Sequence, residues 1–279
     1  MPRVFPQIPL RVGSRGSKLA RAQAELVRQL LAKNHMATEL VTVTTTGDRV
    51  KDRPLAEIGG KGLFAKELED ALLCGRIDLA VHSAKDLPIE IPPGLQIVAT
   101  PRRESPADAL LSRDGKTLEQ LPEGASLGTS SVRRAAQIVR RRSDLRILPL
   151  RGNVDTRIAK LDRGEFDAIV IAFAGLKRLH LHERATSVFA PELWLPALAQ
   201  GALAIEMRSA DVHRAVVTEV LDHRPTAIAL ACERGFQAAL GGSCRTPIAG
   251  YAWIDKNVMR FRGEVLAPDG SAWDEVSVT

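Results

Sequence analysis

Two segments of this chain share a pattern that constrains its fold more than any other feature. VGSRGSKLARAQ at 12–23 and LGTSSVRRAAQ at 127–137 each lead from a strand-like stretch, through Gly and hydroxyl residues, into an Arg-bearing helical pattern. Where a strand enters a helix in this way, the first backbone N–H groups of the helix are unpaired and the positive end of its dipole faces outward. Such a junction holds anions. Two of them predict two α/β units, each able to hold anionic groups facing a shared cleft.

The surrounding periodicity fills in those units. Residues 10–13 read as a short strand, and Ser17 is placed to cap a helix over 17–34, where Leu19, Leu26, Val27, Leu30 and Leu31 recur at helical spacing. A β-branched run follows at 39–46, then a Gly-rich loop through Gly62, a helix near 64–74 and an apolar strand at 77–81. The order βαβαβ predicts a mostly parallel sheet. After the breaker-rich stretch 100–106, strands at 126–129, 145–150 and 168–172 alternate with helices at 132–142 and 154–163. Beyond Pro196 come a strand at 202–207 and helices near 211–222 and 226–240. After Gly241, three short strands at 248–253, 258–266 and 272–278 are joined by turns such as Pro268-Asp269-Gly270. At 279 residues the chain can bury two or three cores. The expected division is a first α/β lobe from 1–103 with 200–221, a second from 104–199, and a small C-terminal α+β domain over 222–279.

The N-terminus, MPRVFPQIPL, interrupts its apolar residues with prolines and has no signal-peptide or membrane-spanning run, which places the chain in the cytoplasm, away from membranes. Cys74, Cys232 and Cys244 form no CxxC pair, so neither a disulfide framework nor a zinc site is indicated, and no metal is expected. Cys74 and Cys232 sit in helical patterns as small buried hydrophobes would. Cys244 differs, because GGSC at 241–244 puts it on a Gly-rich loop, a setting for covalent attachment or nucleophilic chemistry. The net charge is +6, with 29 Arg against 10 Lys. Arginine grips carboxylates and phosphates with a planar fork, so the placement of these residues matters more than their sum.

Several familiar motifs fail. Gly60-x-Gly62-x-x-Ala65 lacks the strand that a dinucleotide fingerprint requires, and Gly60-Lys61 is followed by Gly62, where a P-loop needs Ser or Thr. His180-x-His182 has no HExxH context and reads as a solvated helix end, and His82 beside Ser83 and Asp86 has no GxSxG elbow. With one Tyr, three Trp and seven Phe, the chain also lacks the aromatics that a single-stranded nucleic-acid surface uses for stacking. The informative segment is DLAVHSAKDLP at 78–88, in which a buried strand ends in Ser83, Lys85 and Asp86, at the edge where α/β sheets bind ligands. GTSSVRR at 128–134, LRGNVDTR at 150–157 and GLKRL at 175–179 also set Arg in turns or first helical turns, whereas Arg140 to Arg142 read as a solvated helix face.

Taken together, RVGSRGSKLA, GGKGLF, DLAVHSAKDLP, LGTSSVRR, LRGNVDTRIAKLDRGEFDAIVIA, AGLKRL, LPALAQGALAIE, ERGF and GGSCRTPI, in this order, resemble the porphobilinogen deaminase family from about Leu10 to Tyr251. The resemblance implies two periplasmic-binding-protein-like α/β lobes around a cleft, plus a small C-terminal α+β domain. It also implies a monomeric cytoplasmic transferase of haem and porphyrin biosynthesis that condenses four porphobilinogen units, with loss of ammonia, into hydroxymethylbilane. Cys244 matches the cysteine that carries a covalent dipyrromethane cofactor, and Asp86 the catalytic aspartate. Lys85, Thr129, Ser131, Arg133, Arg134, Gly152, Asn153 and Arg157 match cofactor contacts. Arg15, Ser17, Lys61, Phe64, Arg151, Arg178 and Gln200 match groups near the incoming substrate.

Three departures accompany the match. Glu57 stands where the family often has lysine, Ser243 where it has glycine, and the chain ends at Thr279, short of the helix the family normally adds, implying a trimmed chain or an abbreviated third domain. The competing reading is a two-lobed solute-binding protein for a small dicarboxylate, which the absent signal peptide disfavours.

Overall fold

The computed structural model describes residues 8–45, 65–241 and 246–279. In chain order its strands are β1 (Leu10–Arg15), β2 (Thr38–Val43), β3 (Leu79–Ser83), β4 (Leu95–Ala99), β5 (Asp108–Ser112), β6 (Ser126–Gly128), β7 (Arg146–Leu148), β8 (Ala168–Ala172), β9 (Ser187–Val188), β10 (Leu203–Arg208), β11 (Ile248–Asp255), β12 (Val258–Leu266) and β13 (Trp273–Val278). Its α-helices are α1 (Lys18–Ala32), α2 (Lys66–Leu73), α3 (Val132–Arg141), α4 (Val154–Asp162), α5 (Phe173–Arg178), α6 (Arg214–Leu221) and α7 (Arg224–Ala239). The chain forms two units, Met1–Arg103 with Ala202–Ile228, and Glu104–Gly201 with Ala229–Thr279.

Each unit holds a five-stranded mixed sheet built to one plan. The first runs β2-β1-β3-β10-β4 and the second β7-β6-β8-β5-β9. In each, three neighbouring strands are parallel and the fourth is antiparallel. The three strands of the βαβαβ order are parallel as expected, and one antiparallel strand, β10 in the first sheet and β5 in the second, makes each sheet mixed. A strand buried on both faces reads as an apolar run whichever way it points, so β10 and β5 carry no mark of their direction. β4, β5, β9 and α5 were not expected at all.

Helices cover both faces of each sheet. In the first unit α1 and α6 bring Ala24, Val27, Leu31, Val217 and Leu221 against Val12, Leu79, Val81 and Ile205. On the other face α2 packs Leu68, Ala71 and Leu72 against Ile77 and Ala80. The second sheet is covered by α3 through Ile138 and by α4 and α5 through Ile158, Leu161 and Leu176. Close approach explains one glycine in each repeat: a Cβ on Gly13 would lie 2.2 Å from Ile77 Cδ1, and one on Gly128 2.8 Å from Phe166 Cδ1. In both cases the intruding side chain stands two residues before the third strand of the parallel trio.

The C-terminal strands form an antiparallel sheet, β11-β12-β13. Cys232 and Phe236 of α7 pack on Ala252 and Phe261. Cys232 is half-buried, but Cys74 is exposed at the C-terminal end of α2 and not a core residue, a correction to its expected burial. Among the described residues no helix is long and apolar enough to cross a membrane.

Candidate active site

In the first unit the candidate residues Arg15, Ser17, Lys85 and Asp86 gather where β1 and β3 end. Ser17 has extended backbone and its Oγ accepts the Ala20 N–H at 3.2 Å, so the hydroxyl starts α1 as the sequence predicts. Arg15 closes β1 just before it. After β3, a single turn of 3-10 helix, Ala84–Asp86, is pinned by buried Ala84 and Leu87 and by the Ala84 N–H donated to Ala202 O at 3.0 Å. That turn leaves Lys85 half-buried and Asp86 exposed. Arg15, Gln23, His82, Ser83 and Asp86 line one small depression. Gln23 donates to Ser83 Oγ at 2.9 Å, while His82 Nε2 is 3.0 Å from Glu206 Oε2 inside the core. Ser83 and His82 thus have different partners and do not form a nucleophile–base pair.

The second unit repeats the junction. Ser131 caps α3, accepting the Arg134 N–H at 3.4 Å, and its own N–H donates to the buried Thr129 Oγ1 at 3.1 Å. Arg133 and Arg134 turn inward, 4% and 6% exposed. Both end on one carboxylate: Arg133 Nη2 lies 2.8 Å from Asp108 Oδ2 and Arg134 Nη2 2.7 Å from Oδ1. Trp194 Nε1 at 3.1 Å and Gln200 Nε2 at 2.8 Å donate to the same group. Burial pushes the Asp108 carboxyl up, but Arg133 and Arg134 pull it down further, so it is held far below the usual carboxylate range. Gln200, fully buried in this network, braces Asp108 rather than facing outward.

A second junction in this unit follows β7. Gly152 takes φ +112, and a Cβ there would meet Thr156 at 2.8 Å, so only glycine fits. Asn153 occupies the N-cap of α4 without capping it by its side chain. Arg151 and Arg157 are half-buried beside it, and Arg157 Nε donates to Gly152 O at 2.8 Å. Arg178 ends α5 and donates to Gly201 O at 2.7 Å, while its buried Nε has no hydrogen-bond partner among the described residues. Burial pulls its pKa down to about 10, with Glu104 opposing. Glu104 itself pairs with Lys177 at 2.6 Å, so no carboxylate among the described residues is hydrogen-bonded to Arg178.

Lys61, Phe64, Cys244 and the departures at Glu57 and Ser243 lie outside the described residues. The solvated face expected at Arg140 to Arg142 is corrected. Arg140 pairs with Glu264 and stacks over Trp273, Arg141 covers Trp194, and Arg142 pairs with Asp144 and donates to carbonyls of Leu118 and Leu121. Among the described residues no cluster of His, Cys, Asp or Glu is arranged to hold a metal. Sequence reasoning missed Asp108 and Glu206, whose only signal was a charge inside an apolar strand, in ADALL and ALAIEM.

The family model described as porphobilinogen deaminase, dipyromethane cofactor binding domain, matches residues 10–215, and that of the porphobilinogen deaminase C-terminal domain matches residues 227–279. The chain belongs to the porphobilinogen deaminase family. It is 50% identical over 272 residues to the porphobilinogen deaminase of Phenylobacterium zucineum, covering 94% of this chain and 85% of the relative. It is 50% identical over 277 residues to that of Caulobacter vibrioides, covering 95% and 86%. Among solved structures it is similar to the methionine binding protein MetQ, at 14% identity and a TM-score of 0.47, covering 83% of this chain and 94% of that one. Its activity is that of a porphobilinogen deaminase, a transferase of tetrapyrrole biosynthesis whose substrate is porphobilinogen, and it carries the family's dipyrromethane cofactor domain.

Proposed function

We propose that this chain extends a dipyrromethane bound through a thioether to Cys244, with Asp86 as the catalytic carboxylate, through four rounds and a final hydrolysis. The observation that carries the reading is the position of Asp86, an exposed carboxylate on a turn beyond β3 that is pinned by buried Ala84 and Leu87. Loss of ammonia from the aminomethyl carbon of porphobilinogen leaves a cationic pyrrole. A fixed carboxylate stabilises that charge as it develops and is worth about 3 kcal/mol or more of the barrier. The cofactor, when bound, supplies the free pyrrole carbon to which the first unit is joined.

The residues present fit a ligand that gains two carboxylates per round. Arg178 holds a half-buried charge with no carboxylate among the described residues hydrogen-bonded to it, and the start of α4 is uncapped by Asn153. Lys85, Thr129, Ser131, Gly152, Asn153 and Arg157 are assigned to the cofactor, and Arg15, Ser17, Lys61, Phe64, Arg151 and Arg178 to the substrate. Arg133, Arg134 and Gln200 serve both by holding the β6–α3 junction on Asp108. The cytoplasm, the monomeric state and a separate C-terminal domain over 222–279 complete the reading.

Steady-state kinetics on holoenzyme, with cofactor content established by mass, tests it. Asp86→Asn should keep the cofactor and lose turnover, while Asp86→Glu should retain weak activity, since displacement by about an ångström costs on the order of a hundredfold. An Asn variant with near-normal maximal rate would overturn the assignment.

A further inference from the structure

The first unit buries three titratable side chains that the reaction described so far does not use. β10 pairs antiparallel with β3, setting Ala204 opposite His82 and Glu206 opposite Ala80. Alternation then puts His82 and Glu206 on the face that α2 covers, and α2 adds Glu69. His82 is 6% exposed, Glu206 0% and Glu69 7%. His82 Nε2 meets Glu206 Oε2 at 3.0 Å, whereas Glu206 Oε1 and Glu69 Oε1 are buried without a hydrogen-bond partner among the described residues. Two carboxylates and an imidazole with no hydrogen-bonded Arg or Lys among the described residues are an expensive way to fill a core, and apolar residues would fill it more stably. His82 is also in the wall of the depression that holds Asp86 and Arg15.

We propose that His82, backed by Glu206 and Glu69, takes up and returns the proton that each condensation moves through the Asp86 depression; this rests on the reading of Asp86 given above. In each round the C–N bond of the aminomethyl group breaks and ammonia leaves with its electron pair. A C–C bond forms at the pyrrole carbon that receives the unit. That carbon then sheds its hydrogen as a proton, and the C–H electron pair restores the aromatic ring. The proton ends on ammonia as ammonium, so the round is balanced, but release and uptake occur at different atoms. Asp86 is poorly suited to hold the proton in between, because protonation would remove the charge that the next cation needs. A carboxylate at Nε2 keeps a hydrogen on that nitrogen and leaves Nδ1 of His82 to accept.

Glu69 and Glu206 act through His82 and are positioning residues. The charges acting on Glu69 are Glu206 from β10 and Asp70 from its own helix, which disfavour its ionisation, and His82 from β3, which favours it. Burial is the largest influence, and together these carry its pKa up to about 6. The group therefore changes charge close to neutral pH.

The test uses holoenzyme with cofactor content confirmed by mass. His82→Gln should lower kcat by about 10²–10⁴ with unchanged KM for porphobilinogen, the usual range for loss of a proton-transfer group. Glu69→Gln, which keeps shape and removes a negative charge near His82, should move the acid limb of the kcat profile to lower pH. The same displacement should appear in the 15N resonances of the His82 ring, a readout independent of turnover. A purely structural trio would lower stability and displace the ring titration while leaving the kcat profile in place. Wild-type kcat in His82→Gln, or an unmoved acid limb in Glu69→Gln, overturns the proposal. If His82→Gln does not fold, the Glu69→Gln pair of measurements decides alone. Failure of the Asp86 reading shows separately, as near-normal turnover in Asp86→Asn.

Discussion

Asp108→Asn is the substitution to which the second unit should be most sensitive. The carboxylate is fully buried and receives Arg133, Arg134, Trp194 and Gln200, linking β5, α3 and the segment that carries Trp194 and Gln200. Asparagine keeps the size but removes the charge, and its amide NH2 turns donors towards donors. Two buried guanidinium groups are then left without a hydrogen-bonded carboxylate among the described residues, because the other partners of Arg133 are Gln137 Oε1 and Leu195 O and those of Arg134 are Val170 O and Gln200 Oε1. Breaking a buried pair from one side costs roughly 3–5 kcal/mol. For a unit of this size that corresponds to a fall in Tm of roughly 6–20 °C. Asp162→Asn is the control. Its pair with Arg184 is exposed and should be worth about 0–1 kcal/mol. Urea unfolding followed by near-UV circular dichroism, which reports Trp194, measures both, and cofactor content by intact mass should fall in Asp108→Asn as the β6–α3 junction loosens. A loss below about 1 kcal/mol, or equal losses in the two variants, would refute the view that Asp108 organises this unit.

Three further outcomes are expected. Glu69 titrates higher in the folded chain than its ordinary 4.5, at about 6, so its contribution to stability is complete below pH 4.5 and lost as pH rises through 6; the stability of Glu69→Gln relative to wild type should therefore climb by ~2 kcal/mol between pH 4.5 and 7.5 in urea titrations, and a flat difference counts against the burial argument. Cys244→Ser should lack the dipyrromethane adduct in intact-mass spectra while Cys74→Ser and Cys232→Ser keep it; an adduct persisting on the Cys244 variant ends that assignment. Gly128→Ala drives a methyl to within 2.8 Å of the Phe166 ring, with Ile169 behind it, and overpacking of this kind costs about 1–3 kcal/mol by chemical denaturation; an unchanged midpoint would mean that the ring moves freely.

How much was legible beforehand depends on the reach of each interaction. Ser17 and Ser131 could be placed as caps because a cap hydroxyl binds an N–H only three residues on, and α1, α3, α4 and β8 fall within a residue or two of their expected bounds because their periodicity is local. The strand-to-helix junctions and the Asp86 turn followed from the same short-range signals, and the ordered motifs carried the family. Sheet order and direction were not available in this way: β10 enters the first sheet after the chain has completed the second, and nothing in ALAIEM states which neighbours it will have. The commitments of the buried charges were hidden for the same reason. His82 and Glu206 are 124 residues apart, as are Arg140 and Glu264, and Arg134 meets Asp108 across 26. A side chain's type declares that it needs a partner when buried, but whether it is buried, and by what, is decided only when distant strands are laid side by side. The sequence by itself therefore determined the local elements and the caps of this chain, and the tertiary structure alone decided which of its arginines are bound to its own carboxylates, because those partners come from distant strands.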